Sequence, residues 1–158
     1  MANNSRGKKF EQRFKEDFKK IPESFILRLP DQVSGWKATS ANVCDFIGYV
    51  YPRQYLLECK SFEGNTFPFS SFRQYEKLVS VGKKKGQVRG AVLWFITHKK
   101  IVFVPIETFE QLKAEGKKSF NIKMVGDPNY DCIEIPTEER IVFLTGDYSV
   151  LLNYKVEK

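Results

Sequence analysis

The sequence predicts a mixed α/β domain with a central sheet and flanking helices. Helical and strand-like patterns alternate along the chain in the order helix, strands, helix, strands, helix. Hydrophobic residues make up 42% of the 158 residues, which is enough to build a core, and no low-complexity linker or repeat divides the chain. These observations indicate a single domain that spans residues 1–158.

The first predicted element is an amphipathic helix over residues 5–20. Phe10, Phe14 and Phe18 recur every four residues and form an apolar stripe on an otherwise charged segment. The Ile21-Pro22 pair ends this helix, because a residue before proline avoids the helical conformation. The stripe is therefore expected to pack against the sheet.

A strand and a hairpin follow the first helix. Residues 25–29 predict a short strand, and residues 30–41 are polar and predict a loop. Residues 43–50 and 54–61 have the β-forming composition of two strands, and the Tyr51-Pro52-Arg53 segment between them predicts a tight turn. The two strands should pair in antiparallel fashion.

The second half of the chain predicts a helix, a second hairpin and a shorter helix. Ser70 or Ser71 is the expected cap of a helix that runs to about residue 81, and a basic loop follows over residues 82–90. Two strongly β-forming runs come next, joined by a turn. The remaining expected elements are strands at 91–96 and 101–105, a helix at 108–115 and short strands such as 141–144.

The charge of the chain indicates a polyanionic partner. The formal net charge is +7, which is typical of proteins that bind nucleic acid or an anionic membrane surface. The basic residues gather in two clusters, where they are expected to contact the phosphates of a nucleic acid rather than to serve only as a solvated surface. These candidate nucleic-acid-binding residues are Arg6, Lys8, Lys9, Lys83, Lys84, Lys85 and Arg89.

Cysteine usage and hydropathy indicate a cytoplasmic protein. The three cysteines have neither the spacing of a zinc site nor the even number of a disulfide framework. No stretch approaches the ~20 apolar residues of a membrane span, and the polar N-terminus does not resemble a signal peptide. His98 is the single histidine and lies in a predicted turn, so histidine-based acid–base catalysis is not expected.

The first hairpin carries the residues most typical of catalysis. Glu58 and Lys60 are two positions apart, so they share one face of their strand. If the loop is centred between Tyr51 and Pro52, residues whose numbers sum to 103 face each other, and Asp45 then lies opposite Glu58. A slip of one residue would abolish this arrangement.

Two carboxylates and a lysine at one point predict a divalent cation site. Close carboxylates repel each other unless a cation or a proton lies between them. Mg²⁺ prefers oxygen ligands and often takes only one or two protein carboxylates, with water and substrate phosphate completing its shell. The alternative is a surface hairpin with an ordinary cross-strand ion pair at Lys60.

The order of these motifs resembles a known nuclease superfamily. Asp45 followed by Glu58-Cys59-Lys60 is similar to the PD-(D/E)xK signature, and the chain more specifically resembles the RecU-type Holliday junction resolvases. The matching segments are Asn4-Ser5-Arg6-Gly7-Lys8, Phe10-Glu11, Asp45 with Gly48, Glu58-Cys59-Lys60-Ser61 and Phe67-Pro68-Phe69. They span about residues 3 to 80 in the expected order.

The resemblance implies a restriction-endonuclease-like fold, dependence on Mg²⁺ or Mn²⁺, a homodimer and cleavage of four-way DNA junctions in recombination and repair. Asp45, Glu58 and the backbone carbonyl of Cys59 would be metal ligands, and Lys60 would be the catalytic lysine. Glu11 matches an acidic position that supports the metal site, and Gln74 matches a helix glutamine of related nucleases. Both are therefore included among the candidate catalytic residues.

The sequence departs from the family before the first catalytic acid. RecU proteins carry a protruding stalk there, whereas this chain offers only residues 30–42, so the stalk must be absent or very short. Another DNA substrate, such as a flap, nick or duplex, therefore remains an alternative, as does a basic nucleic-acid-binding module without enzymatic activity. A phage or mobile element is the expected source, which would place the protein in the host cell cytoplasm.

Overall fold

A computed structural model describes residues 2–30, 42–141 and 143–155, with the side chains of residues 2–4 excepted. Residues 31–41 of the predicted loop, and with them the inference about the stalk, lie outside the described residues. In chain order the elements are α1 (Ala2–Phe18), β1 (Phe25–Arg28), β2 (Phe46–Val50), β3 (Arg53–Phe62), β4 (Thr66–Pro68), α2 (Tyr75–Val81), β5 (Gln87–Phe95), β6 (Lys100–Pro105), α3 (Ile106–Ala114), β7 (Ser119–Asn121), β8 (Ile133–Ile135), β9 (Thr137–Glu139) and β10 (Leu144–Gly146).

A mixed six-stranded sheet lies at the centre of the fold, in the order β1-β2-β3-β5-β6-β8. The strands β3 and β5 are parallel, and the other neighbours are antiparallel. Two small sheets, β4 with β7 and β9 with β10, lie outside it. The predicted mixed α/β class with a central sheet and flanking helices is confirmed.

Helix α1 covers one face of the sheet through its phenylalanine stripe. Phe10, Phe14 and Phe18 are at most 4% exposed. The ring of Phe14 packs edge-on against Phe46 of β2, with 5.0 Å between centroids, and against Tyr148 at 4.8 Å. The prediction of a core-facing stripe is therefore confirmed.

Helices α2 and α3 cover the opposite face, around Phe109 of α3. Its ring lies 5.1 Å from that of Phe72 and is fully buried. Helix α2 begins at Tyr75, so the predicted start at Ser70 or Ser71 is wrong. Phe72 has a non-helical conformation (φ −96°, ψ 77°), and the burial of its ring in this cluster explains why the helix cannot begin earlier.

The first hairpin adopts the predicted register. Phe46 pairs with Leu57 and Val50 pairs with Arg53, so each pair sums to 103. The second hairpin joins β5 and β6 through residues 96–99, where Lys99 has a positive φ of 51°. The third helix also lies where it was expected, within two residues at each end.

The predicted boundary between the basic loop and the next strand is wrong. Strand β5 begins at Gln87 rather than at residue 91, because it pairs in parallel with β3 from Gln54 onward. Gly90 lies within this strand, where a Cβ atom would approach the carbonyl oxygen of Val104 to 2.4 Å. Glycine is therefore required at this position by close packing rather than by a loop.

The last quarter differs from its prediction. The strand expected at 141–144 lies instead at Leu144–Gly146, and Ile141 is fully exposed, while Val142 is outside the described residues. A 3₁₀ helix over Tyr148–Asn153 then packs back onto the core through Leu151. Among the described residues, no helix is long and apolar enough to cross a membrane.

Candidate active site

Asp45 lies immediately before β2, where its hydrogen bonds connect it to β3 on one side and to the end of β1 on the other. One of its carboxylate oxygens, Oδ2, accepts the backbone N–H of Cys59 at 2.9 Å. Its backbone carbonyl accepts the N–H of Leu29 at 2.8 Å, just after β1. Continuing the β2–β3 register by one residue places Asp45 opposite Glu58, as the sequence predicted.

The carboxyl group of Glu58 is the most unusual feature of this region. The residue is fully buried, and neither carboxylate oxygen has a hydrogen-bond partner among the described residues. Burial, and after it the nearby Asp45, raise the pKa of Glu58 from 4.5 to about 8 against the opposing effect of Lys60. A buried carboxylate that accepts no hydrogen bond is costly unless a proton or a cation compensates its charge.

Lys60 connects this buried carboxyl group to the surface. Its ammonium nitrogen lies 3.3 Å from Oε1 of Glu58, and its side chain is 33% exposed. Glu58 and Lys60 alternate with Leu57 and Cys59 along β3, so the two charged groups share one face of the sheet. The pair is partly desolvated, unlike the exposed ion pair of the alternative interpretation.

Glu11 and Arg28 form a second charged pair nearby. Nε of Arg28 donates to Oε2 of Glu11 at 2.7 Å, which ties α1 to β1. Glu11 also contributes to the raised pKa of Glu58, as the smallest of its causes. Arg28 was not among the predicted site residues, although a charged side chain at the end of an otherwise apolar strand was a usable signal.

The donors around Glu58 fit a cation such as Mg²⁺ or Mn²⁺. Two carboxylates, Asp45 and Glu58, meet here, and the oxygens of Glu58 lack hydrogen bonds to any described residue. Across residues 2–30, 42–141 and 143–155, no three His, Cys, Asp or Glu side chains are arranged to ligate one ion. Backbone carbonyl, water and phosphate oxygens would therefore complete the shell, as is usual for Mg²⁺.

The cysteines near the site are core residues rather than nucleophiles. Cys59 is 4% exposed and points toward the α1 face, as expected from its alternation with Glu58. Burial raises the pKa of its thiol well above the ordinary value, and burial raises that of Cys44 to about 12. Both side chains are buried in the core, which favours a packing role over that of a nucleophile.

Gln74 lies at the N-cap position of α2. Its side-chain oxygen is buried and accepts no hydrogen bond from any described residue. Its assignment to the catalytic group stays a prediction.

Most of the basic residues lie on the surface. Lys8 and Lys9 are exposed on α1, and Arg6 forms an exposed ion pair with Glu63 at 2.7 Å. Within the predicted basic loop, Lys83, Lys84 and Lys85 are also exposed, and from here on the basic loop means these three lysines. These positions are accessible to a phosphate backbone.

Arg89 is an exception, and its predicted place in the basic loop is wrong. It lies in β5 and is 6% exposed, rather than in the loop where the sequence placed it. Its guanidinium donates to the carbonyl of Leu78 at 2.6 Å, in the last turn of α2, and lies 3.4 Å from Glu107. A buried guanidinium with these partners holds α2 against the sheet and does not reach DNA.

His98 lies exposed in the turn between β5 and β6, where its ring nitrogen is 2.6 Å from the side-chain oxygen of Asn65. This placement confirms the prediction of a solvated turn residue. A histidine-based mechanism therefore has no support at this position.

Comparison with known protein families finds one matching family. The model described as RecU, Recombination protein U, matches residues 8–146. This range includes Asp45, Glu58 and Lys60 and extends through β10. A search of curated proteins found no match.

Proposed function

Because the chain belongs to the Recombination protein U (RecU) family, we propose that it is a metal-dependent DNA endonuclease that resolves four-way Holliday junctions. The observation that carries this proposal is the buried, hydrogen-bond-deficient carboxyl group of Glu58 beside Asp45 and Lys60. Such a group is costly in a purely structural role and useful in a cation site.

Asp45, Glu58 and the backbone carbonyl of Cys59 are the proposed ligands of Mg²⁺ or Mn²⁺. The hydrogen bond from the N–H of Cys59 fixes the Asp45 carboxylate beside the peptide that also carries Glu58. Glu11 adds negative charge that favours a cation, although part of that charge is balanced by Arg28. When bound, the ion would polarise the scissile phosphate and lower the pKa of an attacking water.

Lys60 acts on the solvent side of this centre. Its ammonium group lies beside Oε1 of Glu58 and remains one-third exposed, so it reaches both the carboxylate and an incoming phosphate. In this position it orients the attacking water and neutralises charge that develops on the phosphate oxygens. Gln74 remains a predicted participant, for which Gln74→Ala is the direct test.

DNA binding is proposed for the exposed basic residues. Arg6, Lys8 and Lys9 and the basic loop would contact phosphates and contribute salt-dependent affinity without sequence preference. Such contacts bring a strand to the active site without selecting its bases. The stability role of Arg89 removes it from this group.

A homodimer is proposed because a junction requires two cuts. An apolar strip at the β1 edge of the sheet supports it: Phe25, Leu27 and Tyr49 are 55%, 46% and 44% exposed, and Phe25 pairs with Tyr49 across the strands. Exposed apolar clusters of this kind are typical of interfaces. Sedimentation of the wild type and of Leu27→Asp tests the proposal, and a monomeric wild type would contradict it.

The decisive experiment is cleavage of a labelled four-way junction with Mg²⁺ and with chelator. The variant Asp45→Ala should lose cleavage while it retains junction binding. The matched control is Glu76→Ala, because Glu76 is 81% exposed and lies on α2. Cleavage by Asp45→Ala at the wild-type rate would show that the proposed centre is wrong.

A different DNA substrate is the second candidate, and the short connection between β1 and β2 favours it. The sequence offers only residues 30–42 there, which is too few for the stalk that the RecU resemblance implies. Junctions, flaps, nicked DNA and duplex should be compared at equal concentration. Equal cutting of all four would exclude junction specificity, and binding without any cutting would indicate a non-enzymatic DNA-binding module.

A further inference from the structure

A groove lies between α1 and the end of β5, on the sheet face opposite Glu58. Its volume is about 450 Å³, which is within the usual range for a small-molecule site. Residues from α1, β5 and the segment before β10 form its walls. Those that matter here are Arg6, Lys9, Phe10, Arg13, Trp94 and Phe143.

The inner side of the groove is aromatic. The indole ring of Trp94 is partly exposed and lies 5.5 Å from the ring of Phe10. Phe143 lines the same groove and is 42% exposed, which is unusual for a side chain of this size. Flat apolar surfaces of this kind are suited to stacking on a planar partner.

The rim of the groove is basic. Lys9 is exposed, and Arg6 forms an exposed ion pair with Glu63, a type of contact that contributes little to stability and is easily exchanged for a phosphate. The guanidinium of Arg13 lies 4.8 Å above the ring of Phe143, and its charge is balanced by Glu16 at 2.9 Å. Phosphate recognition would therefore fall on Arg6 and Lys9, and stacking on the aromatic rings.

The groove continues toward the catalytic strand. Arg6 also lines a smaller adjoining cavity of about 170 Å³ together with Ser61 and Glu63. Ser61 directly follows Lys60 in β3 and pairs with Trp94 in β5. A DNA strand that leaves the active site around the end of β3 would therefore enter the groove within a few nucleotides.

We propose that this groove binds unpaired nucleotides of a branched DNA, with a base stacked on Trp94 and Phe143 and its phosphate near Lys9 and Arg6. The inference rests on the proposed function, since it concerns the DNA that the enzyme cuts. Paired bases do not offer their faces to such a groove, whereas unpaired bases stack on aromatic side chains regardless of sequence. An acidic peptide would match the rim but not the aromatic floor.

Tryptophan fluorescence tests the inference without requiring cleavage. The chain has two tryptophans, so Trp36→Phe leaves Trp94 as the single reporter. With chelator present, a single-stranded oligonucleotide and a junction with unpaired nucleotides should quench Trp94, and a blunt duplex of the same sequence should not. Equal quenching by duplex, or quenching by a glutamate-rich peptide alone, would overturn the inference.

A substitution on the aromatic inner side of the groove provides the second readout. Phe143→Ala should weaken binding of the single-stranded oligonucleotide about tenfold and leave duplex binding unchanged. The control is Tyr51→Ala, because Tyr51 is 82% exposed in the β2–β3 turn, and it should change neither. If Phe143→Ala bound the single-stranded oligonucleotide with unchanged affinity and Trp94 were not quenched, in a protein that still cuts junctions, the role of the groove would be refuted and the proposed function would stand. Absence of all DNA binding would overturn the proposed function as well.

Discussion

The substitution Glu58→Gln tests whether the fold holds a carboxyl group at a cost to its own stability. Glu58 is fully buried, and burial raises its pKa from 4.5 to about 8. Between these two values the folded chain retains a proton that the unfolded chain releases. The free energy of unfolding therefore falls as pH rises through this window, by about 1.4 kcal/mol per pH unit.

The magnitude follows from the width of that window. From pH 5 to pH 8 the linked loss spans nearly three pH units, or about 3 kcal/mol when the incomplete titration at both ends is included. Glutamine has nearly the same shape and does not ionise, so the variant should not show this loss. Its unpaired amide costs about 1–3 kcal/mol at any pH, so the variant is expected to be less stable at pH 5.

Urea unfolding followed by circular dichroism, at pH 5 and pH 8 with chelator, measures both effects. The stability of Glu58→Gln relative to wild type should rise by about 3 kcal/mol between the two pH values. The control Glu134→Gln, at a side chain that is 47% exposed, should show no such rise. Added Mg²⁺ at pH 8 should stabilise wild type but not Glu58→Gln. An identical pH dependence in wild type and Glu58→Gln would refute the reasoning.

Three further variants distinguish residues that act in cleavage from those that bind DNA and those that stabilise the fold. Lys60→Met should slow junction cleavage at least about 100-fold with unchanged affinity in a gel-shift assay, and a loss of affinity instead would assign Lys60 to binding. A triple alanine variant of the basic loop should reduce the slope of log K against log salt by about 2–3, and an unchanged slope would remove the loop from the DNA interface. Arg89→Met should lower the free energy of unfolding by about 2–3 kcal/mol, because the carbonyl of Leu78 loses its buried donor, and should leave DNA affinity unchanged. A DNA-binding defect without destabilisation would contradict the structural role of Arg89.

Local patterns were sufficient for the elements that determine the site. The spacing of Phe10, Phe14 and Phe18 predicted α1 and its buried face, because the helical period alone sets that stripe. The turn between β2 and β3 fixed a register that placed Asp45 opposite Glu58. Both predictions depend on interactions between residues close in sequence.

The features that could not be predicted from the sequence depend on contacts between segments that are distant along the chain. The parallel contact of β3 with β5 joins segments about thirty residues apart, and it extends β5 back to Gln87 and buries Arg89. The burial of Phe72 against Phe109 likewise delays the start of α2. The complete burial of Glu58 was also not predictable, because it depends on packing between segments that are distant in sequence.

The tight turn between β2 and β3 also limits where the chain can tolerate insertions and deletions. Side chains alternate faces along a strand, so one inserted or deleted codon between Asp45 and Glu58 would rotate one acid to the α1 side of the sheet. The turn between β5 and β6 carries no such pair and should accept insertions near Thr97 and His98. Natural variants of this chain are therefore expected to keep thirteen positions from Asp45 to Glu58 while their other loops differ in length.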